Sequence, residues 1–81
     1  MTTEQLRRAI HANPFVPFSL RLADSRSLRV PHPDFIAHLP NGRTAFVYDE
    51  DGTGEVIDLL LVVGIRFEPA KSNGKPKKGR G

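Results

Sequence analysis

His32, Asp34 and His38 lie within the segment "VPHPDFIAHLP", residues 30 to 40, and are the side chains here best suited to chemistry. Two neutral imidazoles and a carboxylate can hold zinc, and a catalytic site would leave a fourth position open. The spacing works against it. His32 and Asp34 share the parity of one strand face, but Pro33 between them signals a bend. His38 also matches that parity, yet on a regular strand it would stand roughly 20 Å from His32. Only a tight bend at Pro33 brings the imidazoles together. The alternative is turn chemistry: Pro31, Pro33 and Asp34 turn the chain, Asp34 caps nearby amides, and His32 sits at the surface or on Phe35.

Asp49, Glu50 and Asp51 follow in "YDEDGTGE". Three acids in a row suggest calcium, but the run lacks the full ligand spacing of an EF-hand loop and its flanking helices. "GTGE" has no lysine and no following helix, so it is not a phosphate loop. Acids beside glycines read as a solvated turn. No serine or threonine stands in a nucleophile-elbow context, and cysteine is absent. No catalytic residue, metal or cofactor is therefore expected, and an enzyme using His32, Asp34 and His38 ranks last among the readings.

Asp58 interrupts a run that is otherwise apolar from Val56 to Val63. A carboxylate in such surroundings must be hydrogen-bonded or paired. It either caps a tight turn at Leu59 to Leu61 or belongs to a pocket or subunit seam. Asp58→Ala destabilises the fold in the first case and spares it in the second.

The elements that position these residues follow from periodicity. Thr2 and Gln5 have the spacing of a capping box, and Leu6, Ala9 and Ile10 form one apolar stripe, predicting a helix over about residues 3 to 12. Asn13-Pro14 ends it. "FSLRLADSRSLRV" alternates, with Phe18, Leu20 and Leu22 on one face and Ser19 and Arg21 on the other, then Leu28 and Val30 after a polar turn: a hairpin. Phe35 to Leu39 is extended, Pro40-Asn41-Gly42 turns, and "RTAFVYD" returns. "EVIDLLLVVGIRFE" reads as a strand at Glu55 to Asp58, a tight turn, and a last strand at Val62 to Phe67, because Val62, Val63 and Ile65 with Gly64 oppose a helix. The expected fold is α+β, mainly β: an N-terminal helix and about five short antiparallel strands in a small curled sheet. The expected core is Leu6, Ile10, Phe18, Leu20, Leu22, Leu28, Val30, Ile36, Val47, Ile57, Leu60, Ile65 and Phe67.

At 81 residues, with 38% hydrophobic and 26% charged side chains, the chain holds one small domain, expected over residues 1 to 69. "MTTEQLRRAI" reads as a helix start rather than a signal peptide, and "LLLVVGI" is too short to cross a bilayer, so a cytoplasmic location without membrane contact is expected. Of twelve lysines and arginines, Lys71, Lys75, Lys77, Lys78 and Arg80 fall in residues 70 to 81, which carry no acid and no large apolar group. That stretch is expected to be a disordered basic tail. The preceding residues hold all nine acids against the other seven cations, a mildly acidic body with no obvious basic groove.

"PFVPFSLRLAD", "VPHPDFIA", the "VYD" strand end and "VIDLLLVVGI" together resemble a family of short, uncharacterised bacterial proteins. Its members share a PF-x-PF entry, an aspartate-containing hairpin, a V-x-HP-E/D-F segment and a closing IDLLLV run. The resemblance spans residues 3 to 68 and implies no activity. Where that pattern has Asp-Gly in the first hairpin, this chain has Asp24-Ser25, implying a different turn. In topology the chain is similar to the small SH3-like or Sm-like barrels, which implies a barrel but no function.

Two functions of different class remain. One is a non-enzymatic interaction module, binding another protein or a second copy through exposed sheet edges. The other is weak, sequence-indifferent nucleic-acid association through Lys71, Lys75, Lys77, Lys78 and Arg80.

Overall fold

The structure is a computed structural model, and it describes residues 1–40 and 42–69. The fold is α+β, mainly β. Helix α1 (Thr3–Ile10) begins where the capping box places it: Gln5 N donates to the Thr2 hydroxyl at 3.1 Å, and Thr2 N donates to Gln5 Oε1 at 3.0 Å. It ends at Ile10, shorter than predicted, with His11 N bonded to Arg7 O. Leu6 and Ala9 form its buried face. Eight residues do not hold a helix alone, so this face must pack. At the front of the helix, the terminal amine donates to Val62 O at 3.1 Å, and the Thr3 hydroxyl donates to Gly42 O.

Six antiparallel strands follow, against about five expected: β1 (Phe18–Leu22), β2 (Ser27–Val30), β3 (Ile36–His38), β4 (Thr44–Tyr48), β5 (Gly54–Asp58) and β6 (Val62–Phe67). They form two three-stranded sheets, ordered β2-β1-β6 and β3-β4-β5, and among the described residues no closed barrel. The division has a local cause. Pro31 and Pro33 cannot donate to a ladder, and the segment Pro33–Phe35 winds into one 3-10 turn between β2 and β3.

The chain changes sheets again at Leu59–Leu61, a second 3-10 turn where the sequence predicts a tight one. Here the expected core needs correction. A 3-10 turn repeats every three residues, so Leu59 and Val62 share its inner side. Both are buried, whereas Leu60 is 73% exposed. A β-bulge completes the change: Leu20 faces Ile65 and Arg21 faces Gly64, but Leu22 faces Val62. Val63 is the extra residue and points outward, while Val62 turns in. Phe67, also expected inside, is half exposed at the end of β6, its ring edge-on to Phe18. Ile10, Leu28 and Ile65 pack on the core without being fully buried. Ala9 and Ala45 are buried and were not among the expected core residues. The center is otherwise as predicted: Leu6, Phe18, Leu20, Leu22, Val30, Ile36, Val47 and Ile57.

Candidate functional site

His32, Asp34 and His38 do not converge. His32 Nδ1 accepts from the backbone N–H of Asp34 at 3.4 Å and so caps the Pro33–Phe35 turn. That role falls to the imidazole rather than to Asp34, because an extended His32 backbone ahead of Pro33 lays the ring over the opening amide. The Asp34 carboxylate is 87% exposed and lies 3.5 Å from His32 Nδ1. His38 leaves on β3, and its Nε2 lies 3.2 Å from the Gly42 carbonyl. Among the described residues no three histidines or carboxylates stand close enough to hold a metal ion.

The acids after β4 are turn chemistry. Asp49 N donates to Thr53 O at 2.7 Å, and Gly52, at φ +96°, returns its N–H to Asp49 O. Asp51 Oδ1 accepts from both the amide and the hydroxyl of Thr53, and this holds its carboxyl below the usual aspartate range. Glu50 reaches away to Arg29 at 3.4 Å. Asp58 Oδ1 accepts from Leu60 N at 2.9 Å, capping the second 3-10 turn, while its other oxygen lies 3.4 Å from Arg43. Lys71, Lys75, Lys77, Lys78 and Arg80 lie outside the described residues.

What tertiary structure assembles is a cleft between the β1–β2 turn and β5. Its volume is about 440 Å³, its walls are Leu22, Ala23, Val56, Ile57 and Leu61, and its rim carries Asp24, Arg26, Glu55 and Asp58. The rim is fastened by Arg26. Its two terminal nitrogens donate to both Glu55 oxygens at 2.9 and 2.6 Å, and its Nε donates to Asp24 at 2.8 Å. The same guanidinium holds the Glu55 carboxyl below its ordinary range. The Arg26 backbone amide, then its side chain, does so for Asp24.

One wall of this cleft is a sheet edge. Leu59 N donates to Arg43 O and Asp49 N to Thr53 O, each at 2.7 Å. Both pairs continue the β4–β5 register, in which Ala45 faces Ile57 and Val47 faces Glu55. Bonded pairs alternate with non-bonded ones in an antiparallel ladder. Gly54, Val56 and Asp58 therefore turn their N–H and C=O groups away from β4. Val56 sits in the middle of that row, its side chain 63% exposed and lining the cleft.

Leu39, Tyr48, Leu61 and Val63 are further exposed large hydrophobics. Alternation in the sequence signals edge strands in general. Nothing local could have paired Arg26 with Glu55 across 29 positions or identified β5 as the edge beside a cleft. No helix among the described residues is long and apolar enough to cross a membrane. In comparisons with known proteins, no family model, no curated protein and no solved structure matches the chain.

Proposed function

We propose that the chain is a non-enzymatic interaction module that takes an extended segment of a partner protein as an added strand on β5. The observation that carries this reading is the outward-facing N–H and C=O of Val56 beside an apolar cleft. Backbone bonds to such an edge supply affinity, and a pocket beside it selects alternate side chains of the incoming strand. Edges are normally blunted by charge, proline or shortness. Here β2 carries Arg29, and β3 has three residues and follows Pro33. The center of β5 carries valine. The occupant is an extended segment with an apolar side chain directed at Leu22, Ala23 and Leu61. The order of strands, with β1 between β2 and β6 and a 3-10 turn ahead of β6, also supports kinship with SH3-like and Sm-like folds.

Val56→Pro tests the reading. Proline removes a donor that β4 does not use, and edge strands tolerate it where the N–H faces solvent. The variant is expected to melt near the wild-type temperature. Peptides selected from a displayed random library on the immobilized wild-type chain are expected to lose binding to it at least tenfold. Equal binding to both forms, or a library that yields no binder while light scattering finds a monomer at millimolar concentration, overturns the proposal. A wild-type chain that dimerizes and loses this with Val56→Pro identifies a second copy as the occupant.

A further inference from the structure

The ion pairs of the fold leave two arginines over. Arg7 and Arg8 flank Glu4 at 3.8 and 3.5 Å, Arg26 holds Asp24 and Glu55, Arg29 holds Glu68 and Glu50, and Arg43 reaches Asp58. Among the described residues, Arg21 and Arg66 have no carboxylate within ion-pair distance. They are neighbors. In the β1–β6 register Arg21 faces Gly64 and Ser19 faces Arg66, so the two arginines are diagonal partners across one strand pair. Such diagonals lie roughly 7–8 Å apart. Phe18, Leu20 and Leu22 point into the core, which puts Ser19 and Arg21 on the opposite face of the sheet, and both arginines are exposed.

The rest of that face is small or charged: Glu68 follows two residues after Arg66, its carboxylate held by Arg29. β2 adds Ser27 opposite Arg21 and Arg29 opposite Ser19. Two rows result, Ser27-Arg21-Gly64 and Arg29-Ser19-Arg66, with no large apolar side chain in either. Two like charges this close repel, and the nearby Glu68 carboxylate is engaged by Arg29 at 2.6 and 3.1 Å rather than by either of them. A planar guanidinium presents forked donors that match phosphate oxygens, and serine hydroxyls add further donors. Residues 70 to 81 of the sequence add five more cations and no acid.

We infer that the outer face of the β2-β1-β6 sheet, centered on Arg21 and Arg66, binds the phosphate backbone of a single-stranded nucleic acid. With no aromatic ring on this face to stack bases, recognition is of the backbone and indifferent to sequence. An anionic membrane is disfavored because exposed Val63 beside Gly64 is far short of the apolar face that interfacial binding needs. The inference is independent of the β5 edge, which belongs to the other sheet.

The test uses the full chain and labeled oligouridylate and oligothymidylate of one length, titrated by fluorescence anisotropy at 50 and 200 mM salt. Arg21→Ala/Arg66→Ala, with residues 70 to 81 intact, is expected to weaken binding at least tenfold at low salt. Two lost contacts should also reduce the slope of log affinity against log salt by about 1.4. Arg21→Lys/Arg66→Lys should keep most of the binding. RNA and DNA binding alike point to phosphate and sugar contacts common to both, and RNA binding alone adds the 2′-hydroxyl to the recognition. Should the alanine variant fail to fold, amide shifts of wild-type Ser19, Arg21, Gly64 and Arg66 on titration with the oligonucleotide decide the matter. Absence of binding, unchanged affinity in the alanine variant, no shift at those amides, or preference for phosphatidylserine vesicles over oligonucleotide overturns the inference.

Discussion

Arg26 grips both carboxylate oxygens of Glu55, at 2.9 and 2.6 Å, so that one guanidinium ties the β1–β2 turn of one sheet to β5 of the other. The contact closes the rim of the cleft and raises the Arg26 pKa further above its ordinary range. Forked arginine–carboxylate pairs are among the stronger charge-assisted bonds, although solvent screens this one.

The pH dependence follows from the carboxylates. Glu55, Asp24 and Asp51 all have folded pKa values below their ordinary ones, so the unfolded chain binds protons more readily than the folded chain. Their stabilization is present above the ordinary carboxylate range, about pH 4, and is lost as pH falls through the depressed folded values. The urea midpoint is expected to drop between pH 7 and pH 3. Arg26→Gln should make that drop smaller, since the Arg26 side chain is the first cause of the Glu55 depression and adds to the one its backbone amide gives Asp24; an undiminished drop would assign the effect elsewhere.

Ser25 sits at φ +77° in the β1–β2 turn, a left-handed conformation that costs a residue with a Cβ about 1–2 kcal/mol. Asp24 supports this turn by accepting from Arg26 N at 3.1 Å. Ser25→Gly relieves the backbone without touching that bond. Part of the gain is offset by the greater freedom of glycine in the unfolded chain. A net increase of about 0.5–1 kcal/mol in unfolding free energy is expected from urea titration.

The ring of Phe46 lies over the backbone of Gly54, across β4 and β5, where a Cβ on residue 54 would overlap it. Gly54→Ala must displace the ring, which also stacks edge-on with Tyr48, and is expected to cost about 1–3 kcal/mol. Gly64 offers the control. A Cβ there meets open space and needs no unusual φ, so Gly64→Ala should be neutral or stabilize by up to about 1 kcal/mol. Thermal melts of the two variants, shifted in opposite directions or by clearly different amounts, check this.

Asp58 caps the turn at Leu59–Leu61 through one oxygen. Asp58→Ala is expected to lose about 1 kcal/mol, the usual cost of removing a cap, or about 4–8 °C in melting temperature for a domain of this size. Asp58→Asn keeps the acceptor and should recover most of it. Equal losses in both variants would point instead to the Arg43 contact.

The capping pair Thr2 and Gln5, the alternation of Phe18, Leu20 and Leu22, and the prolines at 31 and 33 were enough to mark the helix and the strands, though the helix stops at Ile10, short of its predicted end. These signals are local: a cap spacing, a side-chain period, a missing N–H. The turn at Leu59 to Leu61 was legible too, but not which leucine it buries, because the three-residue period and the bulge at Val63 shift the phase after Asp58. His32 and His38, six residues apart in the sequence, are sent to different turns.

Pairings between distant positions belonged wholly to the tertiary structure. Sequence distance carries no charge information, so Arg26 met Glu55 and Arg29 met Glu68 only once the sheets had packed. Arg21 and Arg66 were left together because register, not composition, decides which charges share a face.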